Sequence, residues 1–178
     1  IFNKRTIPGF IKAIPSNTFK VADSQVASRW GNITDFIGFD LVTPNEREAR
    51  FALADQDSGI RPLASQLFNA CQTKMLILKL GDRGILTCVN NNHESLDSFF
   101  VMESFVNNLV DPVGAGDALL AYSTLTMIKT SNAVLASIIG NIAAACECEV
   151  DGNVPITPAR IIEKLDAIQR VVETDNGN

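Results

Sequence analysis

The sequence predicts an α/β fold with a mostly parallel central sheet, and three stretches carry that expectation. Met75-Leu76-Ile77-Leu78-Lys79-Leu80 is a near-continuous apolar run, the pattern of a strand buried on both faces of a parallel sheet. Phe39-Asp40-Leu41-Val42-Thr43 reads as a short strand that passes at once into a helix start at Pro44-Asn45-Glu46-Arg47-Glu48. The β-type run from Phe99 to Val106 is followed by Asp111-Pro112-Val113-Gly114-Ala115-Gly116-Asp117 and then by residues at helical spacing. Strand, tight turn and helix in that order are the building unit of α/β architecture.

With 178 residues, 46% of them hydrophobic and 20% charged, the chain suits one globular domain over 1–172 with a frayed tail over 173–178. Fifteen Lys and Arg against 20 Asp and Glu give a net charge of −5, which argues against a nucleic-acid partner. The longest apolar stretch, Ala133 to Cys146, is broken by Ser137, Gly140 and Asn141 and is too short to span a bilayer, so no membrane association is expected. Its first residues have no signal-peptide pattern. Cys71, Cys88, Cys146 and Cys148 lack metal-site spacing, and His93, the one histidine, sits in the polar run Asn90 to Ser95. Zinc is therefore not expected. Reduced thiols in a cytoplasmic protein are.

In chain order, Ile7 to Pro15 reads as a short amphipathic helix ended by Pro15-Ser16-Asn17. Phe19 to Asp23 is a strand with an acid at its C-terminal end, where ligands bind in open α/β sheets. Asp23-Ser24 equally begins a plain loop, and that is the favoured reading. No strand precedes the first helix, which is the expectation for the later part of a larger domain. At the next helix Thr43 suits the N-cap, Pro44 the first helical position and Glu46 the third-position acid of a capping box. This leaves Asn45 and Glu48, three residues apart on one face, with no structural duty. A solvated surface acid is the plain alternative for Glu48.

Gly59 to Gln72 is a helix whose Leu63, Leu67, Phe68 and Cys71 form a core face. After the Met75–Leu80 strand, Gly81-Asp82-Arg83-Gly84 and Ile85 to Val89 complete a hairpin, for which a structural turn suffices. Pro112 biases Asp111 toward an extended backbone, so the following helix starts no earlier than about Val113. Gly114 and Gly116 leave the turn amides bare at the positive end of a helix dipole, an anion site with the acid Asp117 at its mouth. Glycine turns also open helices for purely structural reasons, and a lone Gly-Ala-Gly does not decide. Helices follow over Gly116–Lys129 and Asn132–Cys148; the second is apolar almost throughout, with Asn141 its polar exception. Thr157-Pro158 caps a last helix ending near Val172.

The full pattern Asp-x-x-Gly-Ala-Gly-Asp before a small-apolar helix, preceded in order by Asn45-Glu46-Arg47-Glu48, resembles the ribokinase (PfkB) family of carbohydrate kinases. That family's signature commonly reads Asp-Thr-x-Gly-Ala-Gly-Asp, and it carries an Asn-x-x-Glu motif at the earlier point. The resemblance implies a ribokinase-like three-layer α/β/α fold, incomplete at the N-terminus, and ATP-dependent phosphorylation of a sugar. It makes Gly114, Ala115 and Gly116 an anion hole and Asp117 the base for the attacking hydroxyl. Glu48 would help hold Mg²⁺ through water, with Asn45 near the phosphates. Gly81 and Gly84, together with Lys79, would line the nucleotide.

Asn141-Ile142-Ala143-Ala144-Ala145 looks like the family's Asn-x-Ala-Ala-Ala helix beside the adenine, which gives roles to Asn141 and Ala144. Val150-Asp151-Gly152-Asn153 looks like the loop closing that pocket, and Asp111 with the Gly152 backbone would hold a monovalent cation such as K⁺. Pro112-Val113 departs from the usual threonine-containing pair, which weakens the cation assignment if a hydroxyl is needed. The resemblance covers nearly the whole chain but only the later part of a family member; the sugar-binding Gly-Gly motif and the β-lid have no counterpart.

Within the family, Asp40 to Asn45 and the 150–153 loop look most like the kinase part of ADP-heptose synthesis enzymes, which act on heptose 7-phosphate. A homodimer and a fused or partner nucleotidyltransferase domain go with that narrower resemblance. A Walker P-loop is absent, and Leu119 stands where a dinucleotide Gly-x-Gly-x-x-Gly needs its last glycine. Three readings remain: a sugar kinase, a nucleotide-binding or assembly module without turnover, and a purely structural α/β domain. Two ordered motifs and the retained Asp117 favour the kinase.

Overall fold

The computed structural model describes residues 5–24, 33–90, 98–152 and 154–175. Where the sequence reads as one domain over 1–172, the chain partitions into two compact units, Ile1–Glu103 and Ser104–Asn178.

The first unit contains α1 (Ile7–Ala13), β1 (Val21–Ala22), β2 (Leu41–Val42), α2 (Glu46–Leu53), α3 (Ile60–Cys71), β3 (Met75–Lys79), β4 (Ile85–Cys88) and β5 (Phe99–Met102), with short 3-10 turns at Ile33–Asp35 and Gly81–Arg83. The strands form one sheet in the order β1-β2-β3-β4-β5. It is mixed: β1, β2 and β3 run parallel, and β3, β4 and β5 antiparallel. Met75 to Leu78 are buried without exception, as a central strand covered on both faces requires.

β1 and β2 are shorter than the apolar runs that encode them. At their start the Lys20 carbonyl accepts from both Asp40 N and Leu41 N, which breaks the regular ladder. Pairing nevertheless runs on past the strand ends, with Thr43 N donating to Ala22 O and Lys79 N to Pro44 O. Asp40 locks that corner, its carboxylate accepting from Lys20 N at 2.7 Å and pairing with Lys74 at 2.7 Å. Burial pushes the Asp40 carboxyl up, but these partners outweigh it and hold the group below its ordinary range. α3 seats Leu63, Ala64, Leu67 and Cys71 against Val42, Leu76, Leu78 and Leu86, the face expected from its spacing.

The second unit contains α4 (Ala115–Thr130), α5 (Ala133–Cys148) and α6 (Pro158–Asp175). Only Ser131 and Asn132 join α4 to α5, so the two pack as an antiparallel pair. Their approach is close: a Cβ on Gly140 would lie 2.0 Å from Ser123 Oγ and 3.0 Å from the Leu119 carbonyl. Ile142, Cys146 and Ile161 centre the core that α5 and α6 share, and the Tyr122 hydroxyl donates to Ile156 O at 2.6 Å. α6 runs to Asp175 rather than ending near Val172, so the expected frayed tail is helical through its first three residues. Residues 176–178, His93 and Asn153 lie outside the described residues. No helix among the described residues is long and apolar enough to cross a membrane.

Candidate active site

In the first unit the expected site residues gather where β2 and β3 end. α2 begins later than the sequence reading put it. Asn45, not Thr43, is the N-cap: its Oδ1 accepts from Glu48 N at 2.8 Å, and Glu48 Oε2 accepts in return from Asn45 N at 2.8 Å. The capping box thus belongs to the very pair that seemed to lack a structural duty. Glu46 instead pairs with Arg50 at 2.8 Å and with Arg83. The cause is the extended backbone that persists through Pro44 and Asn45, where Asn45 still bridges Lys79 in parallel register. The strand therefore has to end before the helix can start, and asparagine is among the strongest N-caps.

Glu48 is 6% exposed, and burial pushes its carboxyl above the ordinary range, against the pull of the Asn45 bond and the Lys79 charge. Beside it Lys79 Nζ pairs with Asp23 Oδ2 at 2.6 Å. Burial raises the Asp23 carboxyl too, in spite of that lysine. Asp23 begins the loop after β1, as the favoured reading of the sequence has it, and its side chain also joins the strand-end cluster through Lys79. The buried hydroxyls of Ser24 and Thr43 approach Glu48 and Asp23 respectively without completing a hydrogen bond. The signal that pointed to Asp23 was its place at the C-terminal end of a strand.

A cavity of about 490 Å³ opens beside this cluster, lined by Asn45, Glu46, Arg47, Arg50, Phe51, Gln56, Lys79, Leu80 and Gly81. Three of the expected nucleotide residues, Asn45, Lys79 and Gly81, thus share one wall, while Gly84 closes the following turn with φ of 84°. Arg47 was not singled out in the sequence, because a charged residue in a first helical turn carries no distinctive pattern.

In the second unit the motif forms the turn its composition demands. Gly114 takes φ of 88° at the N-cap of α4, a left-handed conformation that a side chain resists. Asp111 Oδ1 accepts from Val113 N at 3.0 Å, which folds the residues before the helix. The amides of Gly116 and Asp117 stand in the first turn, where helix geometry provides no acceptor, and Asp117 is exposed beside them. Asp111 N and Val110 N both donate to the Cys148 carbonyl, tying this turn to the C-terminal end of α5. Burial raises the Cys148 thiol, and the carboxylates of Glu147, Glu149 and Asp111 add to the effect. Asn141 is buried on α5, Ala144 is half-buried, and Gly152 follows the helix with φ of 75°. Among the described residues no group of three or more His, Cys, Asp or Glu is placed to hold a metal ion.

An open sheet whose strand ends meet a polar cluster, and a glycine turn feeding bare helix amides, define a ribokinase-like α/β protein. Ribokinase from Thermotoga maritima matches with a TM-score of 0.70 at 23% identity, over 87% of this chain and 50% of that one. Phosphofructokinase-2 from Escherichia coli, in a structure with potassium, gives 0.77 at 17% identity over 94% and 53%. A nucleoside kinase from Methanocaldococcus jannaschii gives 0.67 at 18% identity over 93% and 54%. The pfkB family carbohydrate kinases match residues 5–160 by sequence, and the chain belongs to that family. None of the curated proteins compared with it matches the sequence. The chain spans about half the length of the solved structures it resembles.

Proposed function

We propose that the chain is the nucleotide-binding and catalytic part of a sugar kinase, transferring the γ-phosphoryl group of ATP to a hydroxyl of a sugar or sugar phosphate in the cytoplasm. The observation that carries this reading is the Gly114 turn, with an exposed acid beside first-turn amides that have no helical acceptor. Phosphoryl transfer asks for donors where charge develops and for one carboxylate to take the nucleophile's proton. In this reading the Gly114-Ala115-Gly116 turn receives the transferred group, and Asp117 takes the hydroxyl proton. Asn45, Lys79, Gly81 and Gly84 line the nucleotide, and Asn141, Ala144 and Gly152 border its base.

The donors suit the ions. Glu48 offers a nearly dry carboxylate with one oxygen engaged by Asn45, an oxygen donor of the kind Mg²⁺ takes directly or through water. Mg²⁺ held there would screen the phosphate charge. Asp111 and the Gly152 carbonyl are oxygen donors suited to K⁺. Heptose 7-phosphate is the acceptor supported by the Asp40 to Asn45 pattern, and a homodimer with a nucleotidyltransferase partner belongs to that narrower reading.

Calorimetric titration with ADP, with and without Mg²⁺, tests the nucleotide assignment, and ATP turnover against a panel of sugars and sugar phosphates tests the transfer. Metal-assisted binding with turnover on one acceptor is expected, and Asp117→Asn removes the turnover while leaving ADP binding within about twofold. Absence of ADP binding sinks the reading. Binding without turnover on any acceptor selects a nucleotide-binding or assembly module instead.

A further inference from the structure

A polyphosphate held in the cavity beside β3 needs a cation that is free to meet it. Four cations stand in or next to that cavity, and three are engaged: Lys79 by Asp23 at 2.6 Å, and Arg50 and Arg83 by Glu46. Arg47 is exposed on the cavity wall and is the one of the four with no ion pair or hydrogen bond among the described residues. One helical turn on, Phe51 lines the same wall with 45% of its surface exposed. Residues four apart on a helix share a face, so a guanidinium and an aromatic ring stand side by side. A guanidinium presents a planar fork of donors that matches phosphate oxygens, and an exposed ring gives a flat heterocycle something to stack on. Gln56, Leu80 and Gly81 line the same cavity.

We propose that Arg47 is the phosphate-binding cation of this cavity and Phe51 its ring platform, so that the cavity selects a nucleoside polyphosphate through one residue at an unspecified position of the Asn-x-x-Glu motif and one a helical turn beyond it. This rests on the nucleotide reading above for the phosphates and departs from it at the base, which here meets Phe51 in place of the Asn141, Ala144 and Gly152 border. Lys79, held by Asp23, then orients the strand end, and Arg47 carries the long-range attraction for the anion. Because Arg47 and Phe51 are exposed, replacing either leaves the fold intact.

The test is calorimetric titration of the 178-residue chain, Arg47→Ala, Arg47→Lys and Phe51→Ala with ADP and with inorganic pyrophosphate, each at two salt concentrations. Arg47→Ala is expected to weaken both ligands about tenfold, the cost of one charge-assisted contact, and to flatten the salt dependence; Arg47→Lys recovers part of the loss. Phe51→Ala is expected to weaken ADP severalfold and leave pyrophosphate unchanged. If the wild-type chain binds ADP and Arg47→Ala binds it equally well, the role of Arg47 is overturned while the nucleotide reading stands. An equal loss of ADP and pyrophosphate in Phe51→Ala overturns the ring platform. Failure of the wild-type chain to bind ADP overturns the nucleotide reading and this inference together.

Discussion

Lys79 and Asp23 stabilise each other at the strand ends, each about one-fifth exposed. Removing one partner of a largely buried pair strands the other, whereas removing both costs much less. Asp23→Asn and Lys79→Met are each expected to destabilise the chain by about 1–3 kcal/mol, and the double variant by less than the sum. Urea denaturation of the three variants checks this, and additive losses would show that the pair is not coupled. Glu48 separates structure from chemistry in a different way. A glutamine there still accepts from Asn45 N but lacks the charge that burial already disfavours. Glu48→Gln should therefore keep its stability within about 1 kcal/mol while raising the Mg²⁺ needed for half-maximal ADP binding. An unchanged Mg²⁺ titration would remove Glu48 from the metal site. The residue reading put Asn45 and Glu48 together on one helical turn, as they are, but named the wrong cap, because Asn45 serves both the ladder and the helix.

The close contact of α4 with α5 is decided at one glycine. Gly140 has no space for a Cβ, since Ser123 Oγ would stand 2.0 Å away and the Leu119 carbonyl 3.0 Å. Ser123 cannot swing aside freely, because its hydroxyl donates to Ala136 O at 3.0 Å. Gly140→Ala should destabilise the protein by about 1–3 kcal/mol through overpacking, in spite of alanine's better helix propensity. In a Ser123→Ala background the same change should cost less, because the nearest clash is gone. Thermal melting of the four proteins reads this cycle, and an identical cost in both backgrounds would locate the clash at the Leu119 carbonyl. The sequence marked α5 as a helix of small residues, but which of its faces meets α4 is a tertiary fact.

For the whole molecule, buried thiols set the alkaline limit. Burial pushes Cys71 up to about 12 and Cys88 to about 11, from an ordinary 9.0. A folded value above the unfolded one means that the unfolded chain loses its proton first. The stabilisation from each thiol is therefore complete below about pH 9 and is lost as pH rises toward 11–12. By pH 10.5 the loss is on the order of 2 kcal/mol for each thiol. Urea midpoints at pH 8 and 10.5 test this, with Cys71→Ala expected to fall less over the interval than wild type. Equal falls would mean that the thiol ionises as readily in the folded chain as in the unfolded one.

How far the fold was legible follows from the range of the forces involved. The Met75–Lys79 strand, the α3 core face, the hairpin after β3 and the Gly114 turn were readable, because periodicity, apolar runs and glycine conformations are set by near neighbours in the chain. The order β1-β2-β3-β4-β5, the extra turn of α6 and the Asp23–Lys79 pair were not, since each depends on residues brought together from afar. The same holds for Arg47, whose interest lies wholly in its neighbours being paired while it has no partner among the described residues. By itself the sequence determined the α/β class, the two motifs and the family. Only the tertiary structure decided which cations at the cavity are paired and which helix faces can touch, because pairing and packing are properties of space that no local pattern of residues encodes.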